Sequence, residues 1–354
     1  MAQPWSRRNL LRLLGTCSLW PLAATAKPQR APIWQKGVTY THLSGAQRDF
    51  TSRASQRSLY HLKSRVRAEW IALNPMGHQQ TYNDPNIYLE ANPPDAHLRQ
   101  AIIEARQLGL GVMLKPHIWL QDRSREEWRG AIGMDSADAW ERWFASYQRF
   151  IVHYARIAAD TQVDLFCIGT ELARTSREHP DAWRRLIAHI RTLYSGPLVY
   201  AANWWEEYEE ISFWDALDYI GVNAFFPLSQ RARPPLTLLR RNAGDLAQRL
   251  AAVAWRFNRP LIFTEVGFKS VPGTSVQPWA WTRQFQAVDL EAQARCYQAI
   301  LSTFWEQPWF YGMYWWRWYS DPRRGGSHDS DFTPQNKPAE KILTQWYSRP
   351  TRNL

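Results

Sequence analysis

The chain has 354 residues, an apolar fraction of 45% and a formal charge of +11 from 43 Lys and Arg against 32 Asp and Glu. That length and apolar content suit one large domain with a packed core, and composition does not divide the chain in two. The positive charge invites a nucleic-acid reading, but there is no helix-turn-helix signature, zinc-finger spacing or basic stripe, and the arginines spread over solvent-facing helical positions.

The N-terminus is a segment apart. Ser6-Arg7-Arg8-Asn9-Leu10-Leu11 looks like a twin-arginine export signal, Leu10 to Ala24 supplies its apolar region, and Ala24-Thr25-Ala26 a small-x-small cleavage site. Residues 1–26 are therefore expected to be an export signal and 27–33 a short linker. A periplasmic or extracellular destination follows. The apolar run is interrupted by Arg12 and Pro21 and is too short for a membrane span. Cys17 lies in this segment, where Thr16 makes a poor lipoprotein box; Cys167 and Cys296 read as buried free thiols.

Beyond it, short apolar runs alternate with amphipathic ones. Gly37 to His42 predicts the first strand, and Leu59, Leu62 and Val66 mark a helix from Ser52. Trp70 to Asn74 is the second strand, followed by a polar loop from Pro75 to Pro94. Asp95 is expected to cap a helix through Leu98, Ile102 and Leu108, closed by Gly109. Gly111 to Leu114 is the third strand, running into Lys115-Pro116-His117-Ile118-Trp119. Ser124 and Glu127 resemble a capping box. A long helix from Ala137 to Ala159 carries a stripe of Trp140, Phe144, Tyr147, Ile151, Tyr154 and Ala158.

Val163 to Leu172 is the fourth strand, ending at Glu171. A helix with Trp183, Leu186, Ile187 and Ile190 leads to the fifth, Leu198 to Asn203. Glu206, Glu207, Glu209 and Glu210 read as a solvated helix face. Tyr219 to Phe226 is the sixth strand, a helix through Leu246, Leu250 and Val253 follows, and Arg259 to Phe268 is the seventh, presenting Glu265. Asp289 opens another helix, Tyr311 to Trp318 is the eighth strand, and Lys341 to Tyr347 closes the chain as a helix. Eight strands alternating with helices predict a single-domain (β/α)8 TIM barrel over 34–348, with 349–354 as a tail. Helix-to-strand connections are tight, whereas strand-to-helix connections are long, polar and aromatic. The longer loops place the site at the C-terminal face, where Glu171 and Glu265 fall.

Two carboxylates in one aromatic cleft suit hydrolysis of a glycosidic bond, one as nucleophile and one as acid then base. Either Glu alone reads equally well as a helix cap or half of an ion pair; their matched positions on two strands favour catalysis. The 21 tryptophans support a sugar-binding cleft, since flat rings stack on sugar faces. The nine histidines show no metal-ligand spacing, and no cofactor is required.

Four separated motifs, Ile168-Gly169-Thr170-Glu171-Leu172, Gly221-Val222-Asn223-Ala224-Phe225-Phe226-Pro227, Phe263-Thr264-Glu265-Val266-Gly267-Phe268 and Asp331-Phe332-Thr333-Pro334-Gln335-Asn336-Lys337-Pro338-Ala339, resemble glycoside hydrolase family 113 within clan A. The resemblance runs from about Trp34 to Tyr347. It implies a retaining β-glycosidase, with β-1,4-mannan the family's best-known substrate class, Glu171 the acid/base and Glu265 the nucleophile. Two residues depart from the wider clan. Thr170 stands where an Asn precedes the acid/base, and the sixth strand offers Phe225 and Phe226 where a tyrosine often orients the nucleophile. Asn223, Asn203 and Tyr40 are then the candidates to hold Glu265.

Lys115, His117 and Trp119 are expected to bind sugar hydroxyls or stack on a ring, and Trp204, Trp205, Trp279, Trp281 and Trp315 to build subsites. The partner expected is a carbohydrate, with no nucleic acid and no membrane span. Two alternatives stand beside a mannan-like substrate: the same chemistry on a bacterial exopolysaccharide or envelope amino-sugar glycan, and a polysaccharide-binding scaffold that has lost turnover.

Overall fold

The computed structural model describes residues 33–42, 49–122, 128–281 and 287–350. The expected export signal with Cys17 and the expected Ser124/Glu127 capping box lie outside these residues, as does nearly all of the expected linker.

Eight parallel strands close a barrel: β1 (Gln35–Thr41), β2 (Trp70–Leu73), β5 (Gly111–Leu114), β7 (Leu165–Thr170), β8 (Leu198–Asn203), β9 (Tyr219–Asn223), β10 (Leu261–Val266) and β11 (Phe310–Tyr319), with β11 returning to β1. Both acid-bearing strands are buried along their whole length, because a strand covered inside and out must be apolar throughout. Inward residues including Trp70, Met113, Leu165, Cys167, Ile262 and Tyr314 fill the barrel as a separate cluster. Glycine makes room where these are large. A Cβ on Gly37 would lie 2.5 Å from the Tyr314 ring, and one on Gly111 2.6 Å from Trp70.

Helices α1 (Arg53–His61), α2 (Asp95–Gln107), α3 (Ala137–Asp160), α4 (Ala173–Glu178), α5 (Pro180–Leu193), α6 (Glu207–Glu210), α7 (Leu236–Phe257), α8 (Leu290–Phe304) and α9 (Pro338–Tyr347) complete the chain. Ser136 caps α3 by accepting from Ala139 N–H, and Asp289 caps α8 by accepting from Ala292 N–H. The α3 stripe runs as expected through Tyr147, Ile151, Tyr154 and Ala158, joined by Trp143 and Phe150.

Two local expectations are corrected. Asp95 is not the cap of α2; Pro94 holds that position, and Asp95 sits in the first turn, where its carboxylate meets His153 Nε2 at 3.0 Å. The polar stretch 75–94 is not all loop. It carries β3 (Met76–Gln79) and β4 (Tyr88–Asn92), which join β6 (His117–Leu120) in a three-stranded sheet ordered β4-β3-β6. These strands are too short and too polar to show an alternation. They are held by pairing and by contacts to α3, where Trp143 Nε1 donates to Gln79 Oε1 at 3.0 Å.

Candidate active site

Glu171 and Glu265 both reach the C-terminal face where the regular pairing of their strands is interrupted. Side chains on a strand point to opposite faces in turn. In β10, Ile262 belongs to the barrel interior and Phe263 to the outer layer, so strict alternation would send Glu265 outward. A register shift between Phe263 and Glu265 resets the parity, the effect of a bulge, and brings Glu265 against Lys115. β7 shifts register between Cys167 and Thr170, and Glu171, one residue past the strand, takes a positive φ of 52°. That conformation is unfavourable for a residue with a side chain.

The two carboxyls meet different surroundings. Glu265 is buried, and its Oε1 accepts from Lys115 Nζ. The Lys115 ammonium also donates to the Thr264 carbonyl at 3.2 Å and lies 5.9 Å from the Trp316 ring centroid. Burial pushes the Glu265 carboxyl above the usual carboxylate range; Lys115 opposes it, and the nearby Glu171 charge adds to it. Glu171 Oε1 accepts from Asn203 Nδ2 at 3.1 Å, and its Oε2 lies 3.6 Å from the Arg129 guanidinium.

His117 stands between the two. Its Nε2 is 3.5 Å from Glu265 Oε1, and its Nδ1 is 2.9 Å from Arg129 Nη1. A guanidinium only donates, so Nδ1 accepts and the ring proton of the neutral imidazole is on Nε2. The Asn74 amide lies 2.7 Å from Nε2, and turning it over places its oxygen, otherwise without a hydrogen bond, on that proton. Burial, with Lys115 and Arg129 beside it, holds the His117 pKa well below the ordinary imidazole value.

Asn203 therefore serves Glu171, not Glu265. Asn223, opposite Glu265 in the sheet, accepts from Thr264 Oγ1 at 2.9 Å through Oδ1, while its Nδ2 has no protein partner. Tyr40 is buried elsewhere, its hydroxyl on Ser55. Lys115 takes the role for which these three were the candidates. Thr170 is buried, its hydroxyl 3.4 Å from the Pro116 carbonyl.

The aromatic residues divide. Trp204 stacks on Trp279 with centroids 4.7 Å apart, and Trp205, Trp279 and Trp281 are exposed. Trp119 is exposed on β6. Trp315 is not brought to the cleft: it is fully buried and stacks at 3.7 Å on Tyr297 of α8, outside the barrel. Its neighbour Trp316, missed in the sequence, is the one beside Lys115. Phe225 meets Phe332 edge-on at 6.1 Å, Phe332 meets Trp281, and the Arg317 guanidinium lies 5.2 Å from the Trp281 ring. Arg317 is held by Asp331 Oδ2 at 3.0 Å, which also accepts from the Tyr319 hydroxyl.

Glu207 corrects another expectation. It is fully buried and hydrogen-bonded, not part of a solvated face, and burial raises its pKa to about 7. Cys167 and Cys296 are buried free thiols. Among the described residues no cluster of metal-ligating side chains occurs, and no helix is long and apolar enough to cross a membrane.

The model of Glycoside Hydrolase Family 113 matches residues 38–337. A GH113 β-1,4-mannanase structure aligns with a TM-score of 0.78 and 27% identity, covering 90% of this chain and all of the other. The GH113 β-mannanase from Alicyclobacillus acidocaldarius aligns at 0.77 and 30% identity, covering 89% and 97%. A β-glucuronidase from Faecalibacterium prausnitzii shares the fold at 0.61 and 16% identity, over 91% of this chain and 50% of that one. No curated protein matches by sequence. The barrel, its cleft and these likenesses define a glycoside hydrolase. The chain belongs to glycoside hydrolase family 113.

Proposed function

We propose that the enzyme is a retaining β-glycosidase acting on a β-1,4-mannan-like poly- or oligosaccharide, with Glu265 as nucleophile and Glu171 as acid/base. The observation that carries this reading is the unequal treatment of the two carboxyls. Glu265 is buried with an ammonium on one oxygen, which opposes the upward pull of burial on its pKa; Glu171 is more exposed, held through an amide with the Arg129 guanidinium 3.6 Å away. In the first half-reaction Glu265 attacks the anomeric carbon, the glycosidic C–O bond breaks, and Glu171 gives its proton to the departing oxygen. In the second, Glu171 takes a proton from water as that water attacks the same carbon and releases Glu265. Trp204, Trp279 and Trp281 supply stacking surface for neighbouring sugars. The mannan-like substrate rests on similarity to structures described as a β-1,4-mannanase and a β-mannanase.

The same chemistry on a β-linked bacterial exopolysaccharide or envelope amino-sugar glycan is the second reading, favoured by the twin-arginine-type leader at Arg7-Arg8, which points to export into the periplasm. The test is incubation of the mature protein with a panel of β-linked polymers, reading new reducing ends and the anomer first released. Mannan cleavage with β-anomer products supports the first reading. Cleavage of an envelope glycan alone selects the second, α-anomer products contradict retention, and binding without turnover leaves a scaffold.

A further inference from the structure

Glu207 is fully buried, yet it is tied to both sides of Glu171. Its Oε2 accepts from the Asn203 backbone N–H at 2.6 Å, and the Asn203 side-chain amide donates to Glu171 Oε1 at 3.1 Å. Its Oε1 accepts from the Tyr200 hydroxyl at 2.5 Å and from Ser176 Oγ at 2.7 Å. The Tyr200 oxygen in turn accepts from the N–H of Leu172, the residue after Glu171, at 2.9 Å. One route from Glu207 therefore ends on the Glu171 carboxyl and the other on its backbone.

The backbone route has a clear physical use. A non-glycine residue at φ 52° persists only where its surroundings fix it. The peptide groups flanking Glu171 are fixed by the Glu171 N–H on the Ala201 carbonyl at 2.8 Å and by the Leu172 N–H on Tyr200. Tyr200 is itself oriented by Glu207. Burying a carboxylate is costly unless its oxygens are satisfied, and three short donors are what this one receives.

We propose that Glu207 is a positioning residue for the acid/base: through Asn203 and Tyr200 it holds the Glu171 carboxyl where it can protonate the leaving oxygen. The proposal rests on the role of Glu171 given above. Removing Glu207 then disables proton delivery while the nucleophile side, built on Lys115 and Glu265, is untouched.

Proton delivery matters for a poor leaving group and little for a good one, so two substrates separate the cases. The experiment compares kcat/KM, which reports the first half-reaction, on a mannooligosaccharide and on 2,4-dinitrophenyl β-mannobioside, for the full-length mature enzyme and variants. Glu207→Ala is expected to lose about 100-fold on the oligosaccharide and only about 3-fold on the dinitrophenyl substrate, the selectivity of impaired acid catalysis. Glu207→Gln, which keeps the volume but offers one acceptor oxygen to three donors, should fall between wild type and Ala. Asn203→Ala should show the same selectivity, and the double variant should lose less than the product of the two single losses. If Glu207→Ala does not fold, the Gln and Asn203→Ala variants decide the matter. Equal losses on both substrates, or full additivity with Asn203→Ala, overturn the positioning role. Loss of leaving-group selectivity in Glu171→Gln instead overturns the assignment of Glu171 itself.

Discussion

The ends of β7 and β10 are near-duplicates in sequence, each an apolar run that meets a Thr-Glu pair near its C-terminal end, yet the fold treats them in opposite ways. Glu265 is still inside its strand, turned inward by a register shift and held by an ammonium. Glu171 has left its strand at a positive φ and is reached by an amide and, more loosely, by Arg129. The difference teaches that a dipeptide at a strand end fixes only a position. What lies across the barrel decides whether that carboxyl meets an ammonium or an amide.

The largest effect should come from the buried end. Glu265→Gln is expected to reduce kcat/KM on the order of 10⁵-fold for every leaving group, with an unchanged melting curve. Glu171→Gln should cost about 10³-fold on a mannooligosaccharide and far less on a dinitrophenyl glycoside. A variant pair with the same leaving-group dependence would erase the contrast between the two ends.

Lys115→Met sharpens the comparison through pH. As the proposed nucleophile Glu265 must be ionised to attack, and its pKa is raised by burial against the pull of Lys115. Removing the ammonium raises it further, so the acidic limb of kcat/KM should move to higher pH, with a loss of about 100-fold below neutrality. A limb that stays in place or moves to lower pH would remove Lys115 from this role.

The smallest effects distinguish rim from wall. Trp281→Ala is expected to raise KM about 10-fold, from about 1.5 kcal/mol of lost stacking, with stability unchanged. Trp315→Ala should instead cost about 3 to 5 kcal/mol of stability by emptying a buried site against Tyr297, with KM unchanged in the folded fraction. Thermal melts and initial rates on the two variants check both statements.

The barrel was legible because short continuous apolar runs alternate with helical spacings along the chain, and the acids because each breaks an apolar run. What escaped notice depends on contacts between distant segments. Trp315 and Trp316 are adjacent, and only the register shift opposite Val38 and Tyr40 settles which faces the site. Glu207 sits in the run Glu206-Glu207-Tyr208-Glu209-Glu210, which looks solvated; its burial follows from Tyr200 and Ser176 closing on it. Arg129 comes from a one-turn 3₁₀ segment with no pattern to mark it. Lys115 is legible as a cleft residue expected to meet sugar hydroxyls, whereas its pairing with Glu265, 150 positions away, leaves no local trace.

The central claim is that Glu265 forms the covalent bond to the sugar. The direct measurement is mass spectrometry of peptides after inactivation with a 2-deoxy-2-fluoro β-mannosyl fluoride, whose glycosyl-enzyme forms but hydrolyses slowly. The expected result is one sugar on the peptide carrying Glu265, with no labelling in Glu265→Gln. Label on Glu171 or another carboxylate, or hydrolysis of the reagent with no adduct trapped, would contradict it.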